Sequence, residues 1–83
     1  MEKGRKALEL DTRNNIYNEI SDAPGLHFRE LQRRTNLAIG SLQYHLDYLQ
    51  KNNLIKIEKD GSYKRYFALK IYRIEEEEKI MPL

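Results

Sequence analysis

Residues 49–69 read LQKNNLIKIEKDGSYKRYFAL, and within them the recurrence of apolar residues changes from helical to alternating. Before Asn52, leucines stand at 42, 46 and 49, a spacing that keeps one face of a helix inside. After Asn53, LIKIEK alternates as a strand does, with Ile55 and Ile57 on one face. Asp60-Gly61 is a strong signal for a two-residue hairpin turn, and SYKRYFAL (62–69) returns as the second strand. This reading puts Phe67 and Leu69 on the inner face with Ile55 and Ile57.

Upstream of the hairpin the periodicity predicts three helices. Ile16, Tyr17 and Ile20 mark a helix over Thr12–Asp22, with Asp11 placed to cap its first amides. Pro24 and Gly25 end it. LHFRELQRRTNL (26–37) predicts a second helix over Phe28–Thr35, with His27 as its cap in capping-box spacing with Glu30. Asn36 is suited to the left-handed conformation that closes it. The third helix is predicted over Ile39–Asn52. Residues 1–10 form an N-terminal extension, 11–69 the folded domain, and 70–83 a charged segment suited to a linker or a dimerisation helix, with Glu75 and Lys79 at pairing distance.

Composition narrows the function classes. Eighty-three residues make one small domain with room for a single site. No cysteine is present and the two histidines are isolated, so the sequence offers neither a thiolate zinc site, a thiol nucleophile nor a metal cage. No cofactor and no metal are expected. No apolar run is long enough to span a bilayer and MEKGRKALEL lacks the apolar core of a signal peptide, which reads as a soluble, cytoplasmic chain without a membrane partner. The formal net charge is +2, yet between His27 and Arg65 eight cations face four anions, and EEEE at 75–78 balances them. A basic module with an acidic end suits a polyanion partner.

Two helices joined by a tight turn and followed by a basic hairpin make a helix-turn-helix with a wing: mainly α with a small β-hairpin, a three-helix core plus a two-stranded wing. The stretch PGLHFRELQRRTNLAIGSLQYHLDYLQKNNLIKIEKDGSYKRYFAL resembles the winged-helix transcriptional regulators of bacteria and archaea, most nearly the archaeal ArsR/MarR-like group. The motif that carries the resemblance is S-L-x-x-H-L-x-x-L followed by LI and a DG wing, within Thr12–Leu69. The resemblance implies operator binding as a homodimer on double-stranded DNA, with the third helix in the major groove. It assigns Gly40, Ser41, Gln43 and Tyr44 to the recognition helix and Lys59, Ser62, Lys64 and Arg65 to the wing. Three departures stand out: Ala38 replaces a capping serine, Thr35 occupies a usually apolar position, and the cysteine ligands of metal sensors are missing, which argues against metal sensing.

A helical projection refines the assignment. With about 100° per residue and Leu42 at the centre of the buried face, Leu46 and Leu49 stay inside, Gly40, Tyr44, Asp47 and Lys51 fall opposite, and Gln43 and Tyr48 lie on the flanks. Tyr44 is the outward residue. His45 borders the core and reads as a packing and hydrogen-bonding residue joining the third helix to the second or to the wing. A catalyst would need a nucleophile and a pocket, and nothing in the chain supplies them. Arg33 and Arg34 end the second helix, where they complement its dipole or reach phosphates. Lys64 and Arg65 are the stronger phosphate candidates, because backbone contacts dominate affinity. Asp47 fits least well: it repels phosphate, and would either accept from a cytosine or sit at the rim.

Two functions follow. The first is a sequence-specific DNA-binding domain without enzymatic activity. The second is a winged-helix protein-interaction or assembly module, favoured by the six tyrosines, Asp47 and the acidic tail.

Overall fold

The computed structural model of the protein describes residues 2–69, with side chains from Ala7 onward. The order is α1 (Glu2–Asp22), β1 (Leu26–His27), α2 (Phe28–Thr35), α3 (Ile39–Lys51), β2 (Ile55–Asp60) and β3 (Tyr63–Ala68). The predicted winged helix is the observed one, with a short third strand added. Sheet order is β1-β3-β2, both pairings antiparallel, so β3 is central and β1 clamps its root through Leu26↔Tyr66 and His27↔Arg65.

One core holds these elements together. Ile16 and Ile20 of α1 meet Leu31 of α2, Leu42, Leu46 and Leu49 of α3, Leu26, Ile55 and Tyr66 of the sheet. The leucine stripe of α3 is buried as its spacing predicts. The inner face of the hairpin is not the predicted one. Ile55 pairs with Ala68 and Ile57 with Tyr66, so Tyr66, 2% exposed, enters the core, while Phe67 and Leu69 are only half-buried. Arithmetic explains it. The loop is Gly61-Ser62, between the paired Asp60 and Tyr63, and a two-residue loop always sets odd-numbered residues of one strand opposite even-numbered residues of the other.

The first helix also departs from expectation, beginning at Glu2 with Asp11 in mid-helix. Residues 2–10 therefore continue it. Ala7, Leu8, Glu9 and Leu10 are all exposed, so these four carry no buried stripe for periodicity to detect, and residues of good intrinsic propensity extend the helix. Segment 70–83, with its proposed Glu75–Lys79 pair, lies outside the described residues. No described helix is long and apolar enough to cross a membrane.

The caps are mixed. Asn36 is left-handed (φ 56°) and its amide bonds Gln32 O, closing α2 as predicted. His27 occupies the N-cap position of α2 but makes no capping bond; its ring stacks on Tyr63 at 5.1 Å instead. Ala38 begins α3 without a side-chain cap, as its side chain dictates. Thr35, in a usually apolar position, turns its hydroxyl onto Leu31 O at 2.9 Å and so satisfies it. Gly25 has φ +87°, and a Cβ there would lie 3.3 Å from an Arg65 guanidinium nitrogen, so both backbone and space require glycine.

Candidate nucleic-acid interface

An open cleft of about 970 Å³ separates the start of α3 from the hairpin. Its walls include Arg29 and Arg33 of α2, Ile39 and Gln43 of α3, and Ser62 and Lys64 of the wing. Four sequence-predicted residues, Gln43, Ser62, Lys64 and Arg33, thus meet on one concave surface. Arg29, Ile39 and Tyr63 join them without having been singled out. Ile39 is a leading apolar residue left 63% exposed in the first turn of a helix. That exposure was not visible in the sequence, since a residue three positions before Leu42 lies only about 60° from the centre of the buried face.

Gly40 and Ser41 are exposed at the start of α3. A Cβ at Gly40 would meet nothing within 4 Å, so no internal contact demands a glycine there. Tyr44 is 52% exposed but turns toward α1: its ring meets His45 edge-on at 5.1 Å and its hydroxyl is 3.5 Å from Glu9 Oε2. It does not line the cleft.

The cations differ in what they are free to do. Arg65 donates from Nε to Asp60 Oδ2 at 2.7 Å and from Nη1 to Gly25 O at 3.2 Å, bracing the wing root. Arg34 is held by Glu19 and Glu30 at 3.3 and 3.4 Å, and Arg33 also pairs with Glu30. Arg29, Lys59 and Lys64 enter none of the ion pairs among the described residues. Lys59 and Lys64 face each other directly across β2 and β3, both exposed. Like charges in that relation destabilise a sheet, and an anion between them would relieve the repulsion.

Asp47 has a defined partner. Gln43 donates from Nε2 to Asp47 Oδ1 at 2.9 Å, one helical turn along. Its charge is felt on the cleft wall: burial first, and then the Asp47 carboxylate, raise the Tyr66 hydroxyl above its ordinary range.

On the opposite flank of α3, His45 is 3% exposed and accepts at Nδ1 from Arg13 Nε at 3.2 Å. The histidine is a buried hydrogen-bonding residue, as expected, but its partner is on α1 rather than on α2 or the wing. Arg13 is itself 8% exposed, with its guanidinium 3.7 Å from the centre of the Tyr48 ring. An arginine inside α1 gave no signal in the sequence, because its neighbours are polar.

Comparison with known proteins supports the same architecture. A solution NMR structure of a protein from Bacteroides thetaiotaomicron matches with a TM-score of 0.66 at 18% identity, over 83% of this chain and 95% of that one, which shows the fold. An uncharacterized HTH-type transcriptional regulator of Methanocaldococcus jannaschii is 47% identical over 62 residues, 75% of this chain. That stretch is 16% of the regulator's length. A family model described as an N-terminal HTH domain matches residues 10–79. The winged helix therefore belongs to that family of N-terminal helix-turn-helix domains.

Proposed function

We propose that the chain is the sequence-specific double-stranded DNA-binding domain of a transcriptional regulator of the archaeal ArsR/MarR-like kind, acting as a homodimer on paired half-sites and performing no catalysis. The reading rests on one observation: the cleft between α3 and the wing gathers Arg29, Arg33, Gln43, Ser62 and Lys64, with the opposed Lys59 and Lys64 beside it. A major groove about 12 Å wide admits a helix, and a hairpin at its side reaches the backbone or the adjacent minor groove. The long cations supply phosphate contacts that set affinity, and the polar groups of α3 address base edges. Gly40 and Ser41, open at the helix start, suit close approach to a phosphate. The domain's membership of a helix-turn-helix family and the name of its archaeal relative favour the same conclusion.

Titration of the chain against random-sequence duplex at increasing salt tests it. The expected result is a linear fall of log affinity with log salt, as counterions are released from the phosphates, together with enrichment of a sequence upon selection. Retention of no duplex at low salt would leave the protein-interaction module as the reading.

A further inference from the structure

Ile39, Gln43 and Asp47 stand four residues apart along α3, so they form one exposed stripe drifting by about 40° per step. The first two line the cleft, and the second is tied to the third. A carboxylate is an acceptor only, so the group facing Asp47 Oδ1 must be the Gln43 nitrogen. That bond fixes the sense of an amide that would otherwise be free to turn over. It also takes one of its two hydrogens. What remains for a ligand is one acceptor, Oε1, and one donor, the second Nε2 hydrogen.

An acceptor beside a donor matches the major-groove edge of adenine, whose N6 donates and N7 accepts. Guanine presents two acceptors, O6 and N7, and needs two donors. Gln43 has one left, and the neighbouring carboxylate repels both acceptors. Ile39, 63% exposed one turn before Gln43, offers an apolar group of the kind that suits thymine's methyl, the single apolar feature of that groove. We propose that Ile39, Gln43 and Asp47 constitute an A·T-reading stripe in which Gln43 contacts adenine, Ile39 contacts a thymine methyl, and Asp47 is a positioning residue for the Gln43 amide. The inference rests on the DNA-binding reading above, and it accounts for a carboxylate on a face that meets phosphate.

Selection from a random duplex pool with the full chain and four variants tests it. Wild type should enrich a site with one adenine favoured over guanine roughly tenfold or more. Gln43→Ala and Asp47→Ala should both lose that preference at the same position. Asp47→Asn keeps an acceptor at Oδ1 and should keep the preference. Both Asp47 variants should bind duplexes lacking the selected site more tightly, because each removes a negative charge. Replacing thymine by deoxyuridine in the selected site should weaken wild type several-fold and leave Ile39→Ala unaffected. All three side chains are exposed, and unchanged melting midpoints would show that the variants fold. If wild type selects a site whose preferences survive both Gln43→Ala and Asp47→Ala, the stripe is overturned while DNA binding stands. A cytosine preference lost in both Asp47 variants but kept in Gln43→Ala would overturn it equally, assigning direct contact to Asp47. If wild type retains no duplex at low salt, DNA binding fails and the stripe with it.

Discussion

Arg13 Nε donates to His45 Nδ1 at 3.2 Å inside the contact between α1 and α3, so the imidazole must keep a lone pair on Nδ1. Protonation would turn that acceptor into a donor facing a buried guanidinium. Burial first, and the Arg13 charge second, hold His45 below its ordinary value of 6.5, with Glu9 opposing. The unfolded chain therefore takes up this proton at a higher pH than the folded chain does. Stability is complete above the unfolded value and falls as pH drops through it toward the lowered folded value. Urea unfolding from about pH 8 to about pH 5 should show the decline, and His45→Gln should flatten it. Equal slopes in the two proteins would remove His45 as the source.

Two adjacent wing cations should separate cleanly. On the DNA-binding proposal Lys64, exposed on the cleft, contacts phosphate: Lys64→Ala should leave melting unchanged or slightly raised, as the repulsion from Lys59 is lifted, and reduce the slope of log affinity against log salt by about 1. Arg65 serves the wing root through Asp60 and Gly25: Arg65→Ala should cost about 1 kcal/mol of stability, modest because the pair is half exposed. Thermal melts paired with salt titrations distinguish the two. A smaller salt slope for Arg65→Ala with unaltered melting would reverse the assignment.

Gly40→Ala should move stability and binding in opposite directions. With open space around the missing Cβ, alanine gains about 0.5 to 1 kcal/mol from helix propensity, a rise of a few degrees in Tm. If α3 approaches a phosphate through this residue, affinity for every duplex falls. A variant both more stable and equally tight would remove Gly40 from the interface.

The hairpin register makes a further prediction. Tyr66→Ala opens a cavity in the core and should cost about 3 to 5 kcal/mol, the scale for a buried aromatic. Phe67→Ala, on the opposite face under Lys56, should cost far less. Chemical denaturation of the two variants checks it.

Much of this architecture was legible from period alone. The α3 leucines and the closure of α2 by Asn36 are local signals, and the structure repeats them. Tyr66 was within reach as well, since loop length dictates strand parity, but the preference for the more apolar Phe67 obscured it. The extension of α1 before Asp11 was hidden because the exposed residues Ala7 to Leu10 need no apolar stripe. Residues brought together by the tertiary fold were the least accessible: Arg13 against His45 is 32 positions apart in sequence, and Ile39 shares a cleft with Lys64 only when the wing folds back. Asp47 looked anomalous until its bond to Gln43 was visible.

The two-residue β1 pairs with β3 only at Arg65 and Tyr66, its His27 ring stacks on Tyr63, and among the described residues no third strand pairs with residues 59–64. Mechanically the wing is a cantilever with its fulcrum beside Gly25. From Tyr66 to Gly61 the arm is about 16 Å, so a root rotation of about 5° displaces the tip by about 1.4 Å. A displacement of that size is enough to break a hydrogen bond at the far end. The tip's position thus depends on the α1–β1 junction, through the pairing at Arg65 and Tyr66 and the His27–Tyr63 stack.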